Sequence, residues 1–399
     1  MMKEIYLDHA ATTYTRPEVI EAMVPYMGQI FGNPSSLHSF GMKARKGIED
    51  ARARIANVFH TLPEEIYFTS GGTESDNWAL LGAARANRKK GNHIITTKIE
   101  HPAIMSAAEQ LEKEGFRVTY LDVDEFGVVD LRQMKESLTA ETILVSVMFA
   151  NNEIGTLEPI AEIGEIIKAN SRAVFHVDAV QAVGAVPIAL DKLKAVDLMS
   201  FSSHKFYGPK GVGGLFVRKV TRIEPFALGG HQERGKRAGT ENVPGIVGMA
   251  AALELADAEI AGESVRLSVL RDYLIDRVLG EIDDVRLNGH PTNRLPNNAN
   301  FSFDYIEGEG LLMRMNALGV AGSTGSACSS ASLEPSHVLL AIGLPHETAH
   351  GSYRMTLGKT TTKEDIDYAV DALKKVVSDL REMSPLVVNE RSLLCTARK

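Results

Sequence analysis

The chain has 399 residues, 44% hydrophobic and 24% charged, enough to bury a large core, most simply as two domains. Its net charge of −8 weighs against a nucleic-acid binder, whose affinity comes from Lys and Arg contacts to phosphate, while a local basic patch stays open. No run approaches the roughly 18 apolar residues of a membrane helix. The opening "MMKEIYLDHAATT" lacks the apolar stretch of a signal peptide, and two cysteines make neither a disulfide framework nor a metal cluster. A reducing cytoplasm is the expected setting.

Short β-rich runs alternate with helical stretches between about residues 65 and 217. The runs are "EIYFTS" (65–70), "HIITT" (93–97), "RVTYLDV" (117–123), "TILVSVMFA" (142–150), "AVFHVDA" (173–179), "DLMSFSS" (197–203) and "GGLFVR" (213–218). Several are almost wholly apolar, as strands covered on both faces are. Helical patterns at 74–91 and 160–170 separate them, which predicts an α/β fold with a mostly parallel sheet and helices on both sides. A long helical stretch at 244–281 leads to a smaller α+β region, with a boundary near residue 255. There "NNANFSFDYI" and "GSYRMTLG" read as strands, and "EGEGLLMRMNALG" and "TTTKEDIDYAVDALKKVVSDLREM" as helices. Thr361 and Glu364 have capping-box spacing. The tail after Pro385 has weak periodicity and reads as loosely ordered.

Ligands of open α/β sheets collect at the carboxyl ends of the strands, and four such ends carry unusual polar groups. "SGGTESDN" offers Gly71, Gly72 and Thr73 before a helix, either a phosphate cradle or an ordinary capped turn. His101 in "EHPA", at a strand exit, is a structural histidine or a catalytic one. Asp178 ends an apolar strand, where a carboxylate needs a cation unless it caps a helix, and Gln181 follows. "SSHKFYGPKGVGG" places Ser202, Ser203, His204 and Lys205 at a strand end, where Lys205 is a Schiff-base lysine or an exposed turn lysine. The combination favours one answer. A phosphate cradle, a stacking ring, a buried acid and a reactive lysine are what pyridoxal phosphate (PLP) needs.

The stretches "YLDHAATT", "FGNPSSLHSFG", "FTSGGTESDN", "EHPA", "ANNEIGT", "HVDAVQAVG", "SSHKFYGPKGVGGLFVR", "GGHQERGKRAGTENV" and "GSACSSASLEPSHVL" resemble the NifS/IscS-type cysteine desulfurases of the class-V aminotransferase family, from about Tyr6 to Pro385. The resemblance implies the aspartate-aminotransferase-like PLP fold type I, with a seven-stranded sheet, in a homodimer. It implies an N-terminal segment (1–15) packed on the small domain, a large PLP-binding domain (16–255), a small domain carrying the reactive cysteine loop (256–385) and a flexible tail (386–399).

By the same resemblance Lys205 holds PLP as a Schiff base, Asp178 pairs with the pyridine nitrogen, His101 stacks on the ring and Gln181 bonds the phenolic oxygen. Gly72, Thr73, Ser202 and His204 hold the phosphate, Thr240 reaches in from the partner subunit, and Asn152 lies near cofactor and substrate. Arg354 forks onto the substrate carboxylate. L-Cysteine gives up its sulfur to Cys328 as a persulfide and leaves as L-alanine, a task for a thiolate. Cys328 sits among small residues in a loop expected to move, whereas Cys395 lies in the tail with no expected catalytic role. The long loop suits delivery to an Fe–S scaffold or another sulfur-acceptor protein. No resident metal is expected, although Cys328 could transiently ligate a cluster iron. Rival readings are another fold type I enzyme (an aminotransferase or selenocysteine lyase) and a non-catalytic sulfur-carrier or scaffold protein.

Overall fold

A computed structural model describes residues 3–324 and 335–383. Cys328 and most of its loop, Cys395 and the tail lie outside the described residues. The strands in chain order are β1 (Ile5–Tyr6), β2 (Ile66–Thr69), β3 (His93–Thr97), β4 (Arg117–Leu121), β5 (Thr142–Met148), β6 (Val174–Asp178), β7 (Leu198–Ser202), β8 (Gly213–Val217), β9 (Val285–Asn288), β10 (Asn298–Phe303), β11 (Val320–Ala321) and β12 (Ser352–Thr356).

Seven strands form the main sheet in the order β2-β8-β7-β6-β5-β3-β4. Only β8 runs against the others, pairing antiparallel with both β7 and β2. The carboxyl ends of the other six strands therefore share one edge, where the sequence places its polar groups. All of β2, β3, β5 and β7 is buried, as their apolar runs require. This mostly parallel sheet with flanking helices is the α/β architecture that the alternating runs predict.

The helix Val243–Glu281 spans 39 residues, about 58 Å at ~1.5 Å per residue. Its first turns (Val243 to Leu253) pack into the core around Val145, Val177 and Phe201, together with the helix Ser39–Val58. Its later turns (Leu267, Leu274, Ile275, Val278) join a second core with Phe301, Phe303, Tyr353 and Met355. Between Leu253 and Leu267 it buries no side chain. Ile5 and Leu7 also belong to the second core, β1 pairs with β11, and β12-β10-β9 form its antiparallel sheet.

Two local expectations are corrected. The helical run at 74–91 is not one α-helix: α-turns at Gly72–Asn77 and Ala83–Asn87 flank a π-helical turn at Trp78–Gly82. Trp78 is fully buried there, with its indole N–H donating to the Glu224 carbonyl at 2.8 Å. The capping box also sits one residue later. The Asp365 N–H donates to Thr362 Oγ1 and the Thr362 N–H donates to Asp365 Oδ2, at 3.2 and 3.0 Å. Thr361 is engaged elsewhere, accepting from the Gly358 N–H at 2.9 Å.

Candidate active site

A cavity of about 340 Å³ opens at the carboxyl edge of the main sheet. After β2 the chain turns at Gly71 (φ +156°) into the helix beginning at Gly72. A Cβ on Gly72 would come 2.8 Å from Val180 Cγ2, so only glycine lets the two segments approach this closely. The turn is locked by a 2.8 Å hydrogen bond between Thr69 Oγ1 and Ser75 Oγ. Ser202 Oγ, at the end of β7, lies 3.8 Å from where a Gly71 Cβ would stand and is buried without a hydrogen-bond partner.

His101 follows β3 and caps the helix Pro102–Lys113, its Nδ1 accepting from the Ala103 N–H at 3.1 Å. That bond puts the ring proton of the neutral imidazole on Nε2. Burial, then the neighbouring Lys205 charge, lower its pKa to about 4, so the ring is neutral at physiological pH. Glu100, just before it, is buried, and its Oε1 accepts from Thr97 Oγ1 and the Met148 N–H at 2.8 and 3.0 Å.

Asp178 is the last residue of β6, and its Oδ1 accepts from the Val180 N–H at 2.9 Å. The carboxyl caps the following turn, the second of the two expected roles, and also lines the cavity. Burial raises its pKa above the usual carboxylate range, the Val180 hydrogen bond and the Lys205 charge opposing that rise. An acid held in this way is stabilised by a cationic partner.

Lys205 is half-buried, with Nζ donating to the carbonyls of Ala10 and Ala11 at 2.5 and 2.9 Å. Gln181 Nε2 donates to the same Ala10 carbonyl at 3.0 Å, and His204 Nδ1 contacts Thr12 Oγ1 at 3.0 Å. On β12, Arg354 donates through Nη1 to the Asn152 carbonyl at 2.7 Å and through Nη2 to Asp8 Oδ1 at 2.9 Å. Its Nε is buried without a partner.

One cavity thus gathers Gly72, Thr73, His101, Asn152 and Asp178 with Gln181, Ser202, His204, Lys205 and Arg354. Thr240 does not line it and is exposed on its own subunit. The residues present fit PLP. An unpartnered buried hydroxyl sits at a helix start where a Cβ would clash, a buried acid lies on β6, and a lysine stands beside both. The volume is that of a small-molecule site. Among the described residues no group of three or more His, Cys, Asp or Glu could hold a metal ion.

Sequence reasoning missed Asp8 and the Ala10 and Ala11 carbonyls, although all three lie in "YLDHAATT". It also missed Asp76, which lines the cavity from within the first helix after β2 and is 2% exposed. A second cavity of about 60 Å³ lies on the other side of Lys205, along the long helix. The charged groups beside it pair with one another: Arg16 with Glu259 at 2.8 Å, and Lys359 with the same carboxylate.

The class-V aminotransferase family model matches residues 5–369. The chain is 57% identical to a protein named cysteine desulfurase IscS from Clostridium botulinum (strain Hall), with 97% of each chain covered. It is 54% identical to another of that name from Methanosarcina thermophila, covering 97% of this chain and 95% of that one. A solved structure described as a NifS-like protein superposes with a TM-score of 0.89 at 39% identity, covering 95% of this chain and all of the other. The chain belongs to the class-V aminotransferase family, among its cysteine desulfurases.

Proposed function

We infer that this chain is a PLP-dependent cysteine desulfurase, converting L-cysteine to L-alanine and passing the sulfur to one of its own cysteines. The observation that carries the reading is the convergence of Lys205, Asp178, His101 and Arg354 on one cavity from four separate segments of the chain. When bound, PLP supplies a Schiff-base carbon and an electron sink that acidifies the substrate Cα–H.

Every other task falls to the protein. Lys205 would hold the cofactor through Nζ, and the free Nζ would take the substrate Cα proton. The Ala10 and Ala11 carbonyls accept from that amine while it is free of the cofactor. Asp178 gives the pyridine nitrogen a negative partner, and Gln181 bonds the phenolic oxygen. His101 lays a neutral ring against the cofactor, a form its lowered pKa supports. Gly72, Thr73, Ser202 and His204 offer donors to the phosphate, which Ser202 Oγ can do without breaking a bond inside the protein. Thr240, exposed on its own subunit, completes the phosphate site of the partner. Arg354 takes the substrate carboxylate, and its unpaired Nε adds a donor to the Nη2 now held by Asp8. Asn152, whose carbonyl accepts from Arg354, would lie near the cofactor and the substrate. The Cys328 thiolate forms an S–S bond with the substrate Sγ as the Cβ–S bond breaks. The electron pair of that bond stays on the carbon skeleton released as alanine.

The working unit is a homodimer. Ile20, Val24 and Met27 form an exposed stripe at helical spacing on Pro17–Gly28, continued by the contacting rings of Phe31 and Phe40 and by Leu37. Such a patch marks a protein interface. The large unit is proposed at 16–255 and the small one at 256–385 with the N-terminal segment (1–15) on it, a division supported by the two hydrophobic cores, the second of which includes Ile5 and Leu7. The acceptor is an Fe–S scaffold or another sulfur-accepting protein. A nucleophilic thiol that must stay reduced favours the cytoplasm. No membrane or nucleic-acid partner is called for; no helix among the described residues is long and apolar enough to cross a membrane.

Incubating the purified protein with L-cysteine and a reductant tests the reading. Equal amounts of alanine and sulfide are expected. A keto acid product points instead to an aminotransferase, and activity confined to selenocysteine to a lyase. A colourless protein that takes up no PLP would leave only a scaffold role.

A further inference from the structure

Beneath the cavity floor lies a polar cluster that the proposed reaction does not use. Ser146 Oγ contacts His176 Nδ1 at 2.9 Å, and His176 Nε2 contacts Ser200 Oγ at 2.9 Å. Asp76 lies at the end of this chain, with its Oδ1 3.8 Å from His176 Nε2. Ser146, His176 and Ser200 are fully buried and Asp76 is 2% exposed. Asp76 Oδ1 has no hydrogen-bond partner, yet the residue lines the same cavity as Asp178. Asp178 and Ser200 are register partners on adjacent strands, so Asp76 stands behind the acid assigned to the pyridine nitrogen.

Two carboxylates cannot both be charged cheaply in one buried site. The groups facing Asp76 do not relieve the conflict. Asp178 on β6 and Glu100 beyond β3 are both acids, and both push the Asp76 pKa upward after burial itself. His176 on β6 is driven by burial to a pKa of about 3 and carries no positive charge at neutral pH. Lys205 acts on Asp178, the acid nearer the cavity's cationic side.

We propose that Asp76 is a positioning residue that acts through Asp178: as a neutral acid it leaves Asp178 the single carboxylate facing the cofactor nitrogen. The proposal rests on the reading that PLP occupies this cavity.

Asp76→Asn, Asp76→Ala and Asp76→Ser test it in the holoenzyme, read by the pH titration of the visible cofactor band and by the rate of PLP release. Infrared spectra add the carbonyl stretch of a buried protonated acid, in protein with and without cofactor. Asparagine keeps a neutral donor, so Asp76→Asn is expected to hold the spectral midpoint within about half a pH unit of wild type and to lose one protonated-acid band. Asp76→Ala is expected to move the midpoint by about one unit or more and to release PLP faster, with Asp76→Ser as the readout where alanine does not fold. The proposal is overturned if the band is absent from wild type, if Asn shifts the midpoint as far as Ala or Ser, or if neither Ala nor Ser shifts it. A wild-type protein that binds no PLP defeats the underlying reading instead, and the infrared band still reports on Asp76.

Discussion

Arg354 shows how much of the site is decided by single hydrogen bonds. Its side chain is 6% exposed, and Asp8 and the Asn152 carbonyl hold its guanidinium before substrate arrives. In the proposed role the substrate carboxylate would meet a donor whose orientation is already fixed, which would lower the entropy lost on binding. Arg354→Ala is expected to raise the KM for L-cysteine by about 10- to 100-fold, the worth of a charged hydrogen bond, with a smaller effect on kcat. Arg354→Lys is expected to restore little of it, because an ammonium cannot replace the fork. Steady-state kinetics check both, and an unchanged KM removes Arg354 from the substrate site. The residue itself was legible only through the stretch "GSYRMTLG". Its partner Asp8 lies 346 positions away, a pairing no local pattern reveals. Asp76 was illegible for a related reason: a buried charge has no periodic signature, and "TESDNW" reads as an exposed first turn.

Strands and turns were read with more success, because their cause is local. Near-continuous apolar runs mark strands covered on both faces, and all seven runs became strands of the main sheet. β1 and β11 have two residues each, too short for any pattern to stand out. The edge strand β2, which carries the Gly71–Thr73 turn, depends on a contact from far along the chain. Arg52 and Glu233 pair at 2.7 Å, with side chains only 4% and 3% exposed. Arg52 also donates to the Ile66 carbonyl, and Glu233 accepts from the Phe68 N–H. Glu233 and Arg234 hold left-handed φ values of 44° and 57° to make this contact. Arg52→Met leaves Glu233 buried without its cation and is expected to cost about 3 kcal/mol in denaturant unfolding. A loss below about 1 kcal/mol would show that the pair does not fasten β2.

Glu158 makes a pH-dependent version of the same argument. Its Oε2 accepts from the Val129 N–H at 3.1 Å and its Oε1 is unpartnered. Burial raises its pKa to about 8, the Val129 hydrogen bond opposing and Asp124 adding to the rise. The folded value lies above the unfolded one, so this group's contribution is complete below about pH 4.3 and lost as pH rises toward 8. Glu158→Gln keeps the acceptor and removes the charge. Its melting temperature is expected to match wild type near pH 4 and to exceed it increasingly up to pH 8. A difference independent of pH contradicts this.

At the scale of the whole molecule, the helix Val243–Glu281 ties the two cores together, and the cavity lies where segments belonging to both meet. Lys205 and Asp178 come from the main sheet, whereas Arg354 comes from the antiparallel sheet of the second core. The proposed homodimer would cover the exposed Ile20–Val24–Met27 stripe, and Met27→Glu with Phe31→Glu is then expected to give a monomer in sedimentation analysis. A double variant that stays dimeric places the interface elsewhere. The central claim concerns sulfur, and intact-mass spectrometry after one turnover with L-cysteine tests it most directly. The account predicts one added sulfur atom on Cys328 in wild type and in Cys395→Ser, and none in Cys328→Ser, which still binds PLP but releases sulfide about a thousandfold more slowly or worse. Sulfide production at a near wild-type rate by Cys328→Ser, or a persulfide found only on Cys395, would contradict it.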